Sequence, residues 1–161
     1  MSRFDLTDID GTIAFLRLQE AALARCPISE ASTATAAAIA DLTARARADL
    51  HRRGVSCLRM DTPDLSRLHP LALDYVIGGS RLGAEVLQRR WADGPAAELG
   101  IGDGYMSAPR YIEIWRDFCA SAAEIPGDTA LGHRICGNVS ELFALFETAA
   151  DRSFEETQAY V

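Results

Sequence analysis

Residue types that do chemistry readily are sparse in this chain and poorly spaced for it. Three histidines, His51, His69 and His133, lie far apart and form no H-x-x-x-H or similar ligand pair. His51 stands beside two arginines at the expected end of a helix, where a cation suits the helix dipole. His69 precedes Pro70 and so takes extended backbone, and His133 falls one turn into a later helix. Four cysteines, Cys26, Cys57, Cys119 and Cys136, are scattered without a C-x-x-C pair. That spacing argues against a metal site or disulfide framework and reads as free thiols in a reducing compartment. The informative run is Tyr75-Val76-Ile77-Gly78-Gly79-Ser80-Arg81-Leu82-Gly83-Ala84-Glu85-Val86-Leu87, a helical pattern carrying three glycines. Each glycine inside a helix costs about 1 kcal/mol relative to alanine. Residues three and four apart share a helix face, so Gly79, Ser80, Gly83 and Ala84 make a strip of nearly bare backbone. Such a strip admits a flat or bulky guest at close range, or another helix; the glycines alone favour the helix.

The elements that would position this strip read as helices throughout. Asp10 can cap a first helix over residues 11 to 25, stopped by Pro27, with Ile13, Leu16 and Leu23 on its apolar face. A second helix is expected from Ser29 or Ser32 to Arg53, with Gly54 as its C-terminal stop. Residues 55 to 68 read as a connector. Pro70 suits the first turn of a third helix that runs through the strip to Ala92. Gly94 to Pro109, rich in glycine, reads as a loop. A fourth helix is expected over Ala108 to Glu124, and a fifth, capped by Asp128, runs to Ala150, either continuous or broken near Gly137. The tail from Arg152 to Val161 extends that helix or packs loosely. No strand pattern occurs, so the expected fold is all-α, a single-domain multi-helix bundle spanning residues 1–161.

Around the strip, Tyr-Val-Ile-Gly-Gly-Ser-Arg-Leu-Gly-Ala resembles the distal-helix signature of bacterial biliverdin-producing heme oxygenases. In those proteins a tyrosine and hydrophobics precede Gly-Ser-x-Leu-Gly-Gly/Ala. Phe15-Leu16-Arg17, the stretch Tyr111 to Phe118 with Trp115-Arg116, and Leu142-Phe143-Ala144-Leu145-Phe146 agree in order and spacing, so the resemblance runs from about Thr12 to Ala149. It implies a heme oxygenase-like bundle in which heme, both substrate and cofactor, lies between the first helix and the glycine-rich helix. Gly79, Ser80 and Gly83 would then form the distal strip beside the reacting O2. Arg116 matches a position that pairs with a heme propionate, Arg17 could reach a propionate from the ligand helix, and Phe143 and Phe146 match the far wall. The chain departs from the family at the proximal histidine, whose place falls on Ala24. A lysine that often stands one turn before the propionate arginine is Ile112 here, and Ser80 occupies the place of a water-orienting aspartate. Gln19 and Glu20, the nearby polar residues, are not usual iron ligands, and Cys26 reads as core.

Composition bounds the rest. The chain has 161 residues, 48% apolar and 24% charged, with a net charge of −7. That is globular composition, and an acidic chain whose cations are all arginine is a poor candidate for sequence-independent nucleic-acid binding. No apolar run reaches the roughly 20 residues of a membrane span and no secretory signal is visible, so a cytoplasmic protein without membrane partners is expected. Three functions stay open. The first is an oxygenase converting heme with O2 and electrons, from a ferredoxin or flavin-reductase type of donor, to biliverdin, carbon monoxide and iron. The second is a non-catalytic binder of heme, biliverdin or another tetrapyrrole, serving as a carrier or a regulatory protein, and the third a helical interaction scaffold.

Overall fold

The computed structural model describes residues 4–158, with side chains to residue 156. Helix α1 spans Ile9–Leu23 and is capped by Asp8, whose carboxylate accepts from the Gly11 N–H at 3.2 Å. The cap therefore stands two residues ahead of the expected Asp10. Asp10 instead enters the first turn, where a carboxylate still suits the dipole. After a short 3-10 turn at Ile28–Glu30, α2 spans Thr33–Arg52 behind its Ser32 cap. Gly54 follows at φ +67°, the left-handed stop the sequence asks for. Residues 55 to 69 form an irregular connector, and α3 spans Pro70–Leu82 with the His69 ring nitrogen accepting from the Leu71 N–H at 3.2 Å.

Two expectations fail beyond this point. The third helix does not run to Ala92; it ends at Gly83, and α4 restarts over Ala84–Ala92. The stretch from Gly94 to Pro109 is not a loop but holds two single turns, α5 at Pro95–Glu98 and α6 at Asp103–Met106. Gly100 and Gly102, at φ +66° and +90°, turn the chain between them, where residues with a Cβ would be strained. These turns are pinned from outside. Buried Asp49 of α2 accepts from the N–H groups of Gly104 (3.2 Å) and Tyr105 (2.8 Å), and the Trp91 indole N–H donates to Ile101 O at 2.7 Å. Finally, α7 spans Ile112–Ala123, and α8 spans Ala130–Gln158 without a break at Gly137. The tail is helical to that point, and its last three residues lie outside those described.

The described residues contain no strand, and the fold is all-α. Helix α1 packs between α2 and α8, while α3 packs against α7, α8 and α2. Leu16, Leu23, Ile39, Leu42, Leu50, Leu73, Ile77 and Leu142 are fully buried and join these helices in one core. Burying each such side chain contributes roughly 1.5–3 kcal/mol. Among the described residues no helix is long and apolar enough to cross a membrane.

Candidate functional site

Helix α3 carries Tyr75, Val76, Gly79, Ser80 and Leu82 along one side of an open groove of ≈ 450 Å3. Gln19 of α1, Trp115 of α7, and Phe143 and Phe146 of α8 close the other sides. The groove is thus bounded by the first helix and the glycine-bearing helix. Four of the expected site residues, Gly79, Ser80, Phe143 and Phe146, meet there.

The two adjacent glycines have separate duties. A Cβ on Gly78 would meet Trp115 N at 3.0 Å and Ile114 Cγ2 at 3.1 Å, so Gly78 lets the backbones of α3 and α7 approach closely. A Cβ on Gly79 would lie 3.2 Å from Cζ3 of Trp115, so Gly79 seats the indole ring. Part of the bare strip therefore serves helix contact, and the ring laid across it becomes a wall of the groove. Tyr75 completes an aromatic cluster, with centroids 5.8 Å from Trp115, 5.3 Å from Phe118 and 6.5 Å from Phe143. Phe143 is half exposed at the mouth, where an aromatic face lies open to a ligand.

The lining is uncharged. Its polar side-chain groups are the Gln19 carboxamide, the Tyr75 phenol, the Ser80 hydroxyl and the Trp115 indole N–H. Ser80 donates back to Ile77 O at 2.8 Å, so its proton is engaged and its lone pairs are left to a guest. Gln19 accepts at Oε1 from the Tyr105 hydroxyl at 2.9 Å. Burial pushes the Tyr105 phenol up to about 12, so it stays a proton donor. Behind α3, Arg81 is buried with its guanidinium 5.6 Å from the Tyr105 ring centroid, and it donates to Ala108 O and Pro109 O. Its Nε is the one buried side-chain polar atom without a hydrogen bond among the described residues. Tyr111, at φ +48°, caps α7 in the left-handed region while its hydroxyl donates to Asp41. Desolvation, then the Asp41 carboxylate, pushes Tyr111 up to about 12. A non-glycine residue held at that φ stores strain, and this latch fixes the start of the helix that presents Trp115.

Four expected positions lie elsewhere. Arg17 is buried against α8 and the connector, donating to Ser56 O at 3.0 Å and to Glu156 at 2.7 Å, with no reach to the groove. Ala24 is an exposed C-cap past the end of α1 and is not a lining residue. Gly83 is exposed at the α3–α4 junction, where a Cβ would meet only Ser80 O, at 4.0 Å. Arg116 points to solvent beside Asp117 and does not line the groove. Conversely, Gln19, Tyr75, Val76, Leu82 and Trp115 line it without having been assigned a binding role from sequence. Tyr75 and Trp115 stood inside the matched segments, which was signal enough to find them. Gln19 falls one turn after Phe15 on the first helix.

A nitrogen-ligated heme iron does not fit these residues. No histidine or cysteine lines the groove, and no cluster of three metal-ligating groups occurs among the described residues. Tyr75 is the one lining residue of an iron-ligating type, and its ring is committed to the aromatic wall. A second, larger cleft of ≈ 550 Å3 between residues 60–65 and α8 includes Asp61, Asp64 and Glu141 and no aromatic ring, a poorer seat for a planar apolar guest. Comparison of the chain with protein-family models, with curated proteins and with solved structures gives no match.

Proposed function

We propose that this protein binds a flat tetrapyrrole, heme or an open-chain bilin, by apolar and aromatic burial in the α1–α3 groove, without an iron bond from a histidine. One observation carries the reading: an uncharged groove, walled by Tyr75, Trp115, Phe143 and Phe146, runs beside the near-bare surface at Gly79. Its volume lies within the roughly 300–1,000 Å3 of small-molecule sites. Ring faces stack on Trp115 and Phe143, the carboxylates of the guest stay in solvent, and the resemblance of the strip supplies the ligand class. Macrocycle burial needs no metal bond, since each buried apolar Å2 contributes about 25 cal/mol.

Oxygenase chemistry is the second reading, favoured by the Ser80 hydroxyl beside Gly79 on the strip. It would require O2, a reductant and a heme held without the proximal nitrogen that tunes iron in the family. Absorbance titration with hemin and with biliverdin, followed by ascorbate under air, separates the readings. Saturable binding without biliverdin production supports the binder. Turnover of bound hemin selects the oxygenase. Absence of a spectral change with either ligand rejects both.

A further inference from the structure

Resting on the tetrapyrrole reading, we infer that Gln19 selects the ligand, donating a hydrogen bond from Nε2 to a lactam carbonyl of an open-chain bilin in preference to heme. Gln19 is a groove-lining side chain whose carboxamide is oriented from behind. Its Oε1 accepts the Tyr105 hydroxyl proton at 2.9 Å, and Tyr105 is itself buried between Phe15 (ring centroids 5.8 Å) and the Arg81 guanidinium. With Oε1 engaged, the amide places its –NH2 end on the side left open. Among the described residues nothing accepts from it, and it is not sealed from solvent.

The chemistry of the two guests then decides. Both guests carry the same pair of propionate carboxylates, which stay in solvent, so what heme adds is an axial iron site, and the lining has no histidine or cysteine for it. A bilin offers neutral carbonyl and N–H groups along its edge, which lose affinity when buried unless a partner meets them. An oriented neutral donor meets a lactam carbonyl at low entropic cost, because Tyr105 has already fixed the Gln19 side chain. Tyr105 is the positioning residue and Gln19 the binding residue.

Gln19→Glu tests this closely, since the carboxylate keeps the shape and still accepts from Tyr105 but carries no donor. Gln19→Leu removes the donor without adding charge. With folding checked by circular dichroism, biliverdin and hemin are titrated into the parent and both variants. Expected are tighter binding of biliverdin than of hemin by the parent, and a loss of about tenfold or more for biliverdin in both variants. Hemin, which offers no lactam carbonyl, should lose at least about fivefold less affinity than biliverdin in Gln19→Leu. Unchanged biliverdin binding by both variants overturns the role of Gln19 while the groove stands. Equal losses for the two ligands make Gln19 a packing wall and also overturn it. Failure of the parent to bind either ligand is a different outcome, and it removes the tetrapyrrole reading beneath the inference.

Discussion

A methyl group at Gly78 would press on the backbone of Trp115, whereas one at Gly79 would press on the edge of the Trp115 ring. Backbone in a packed helix yields less readily than a side chain, and the difference should be measurable. Overpacking costs about 1–3 kcal/mol, against about 1 kcal/mol recovered from helix propensity. Gly78→Ala is therefore expected to lose up to about 2 kcal/mol in urea unfolding, and Gly79→Ala to lie near zero. Equal effects at the two positions would mean that the indole is as fixed as the helix carrying it. Sequence put Gly79 on the bare strip and left Gly78 without a role, so it could not tell their two contacts apart. That division depends on where α7 crosses, through contacts between residues far apart in sequence. Arg17 and Arg116 were misplaced for a similar reason. An arginine on a helix near a site has no local signal for direction, and Glu156 and solvent respectively took them.

At the level of elements, helices marked by caps and stops were legible, and those shaped by distant partners were not. Ser32, Pro70 and Gly54 act within a turn of themselves, and α2 and the start of α3 fell where they indicate. The single turns α5 and α6 depend on Asp49 and Trp91, which reach them across the fold. Asp49 is buried, accepts two N–H groups of α6, and pairs with Arg52. Its removal leaves those donors without their partner, and bonds to a charged group are worth about 1.5–3 kcal/mol each. Asp49→Ala should cost about 2–4 kcal/mol, lowering Tm by roughly 5–15 °C, with Asp49→Asn recovering part of the loss. A melting curve unchanged by Asp49→Ala would show that α6 holds itself. Since α6 carries Tyr105, the same variant should also loosen Gln19.

For the whole molecule, the all-α class was readable from helical periodicity and the lack of alternating stretches, and one core joins the main helices. Buried protonated groups set its response to alkali. Burial pushes the Cys26 thiol from 9.0 and the Tyr105 phenol from 10.0 up to about 12, and Tyr111 rises likewise. In each case the folded state holds its proton more tightly than the unfolded chain. The associated stability is complete below about pH 9 and is lost as pH rises through 9 to 12. Unfolding free energies at pH 7 and 8.5 should agree, with a fall by pH 11 that is smaller in Tyr111→Phe. A flat profile to pH 11 would mean that these groups are solvated.

The groove itself is tested most directly by filling it. Ser80 lines it from an exposed position on α3, so Ser80→Phe adds a ring to the cleft without disturbing the core. Biliverdin titration of parent and variant, followed by bilin absorbance and by quenching of tryptophan fluorescence, reports on occupancy beside Trp115. Saturable one-to-one binding by the parent, weakened about tenfold or more by Ser80→Phe, is the predicted result. Equal binding by the two proteins, or none by the parent, would contradict it.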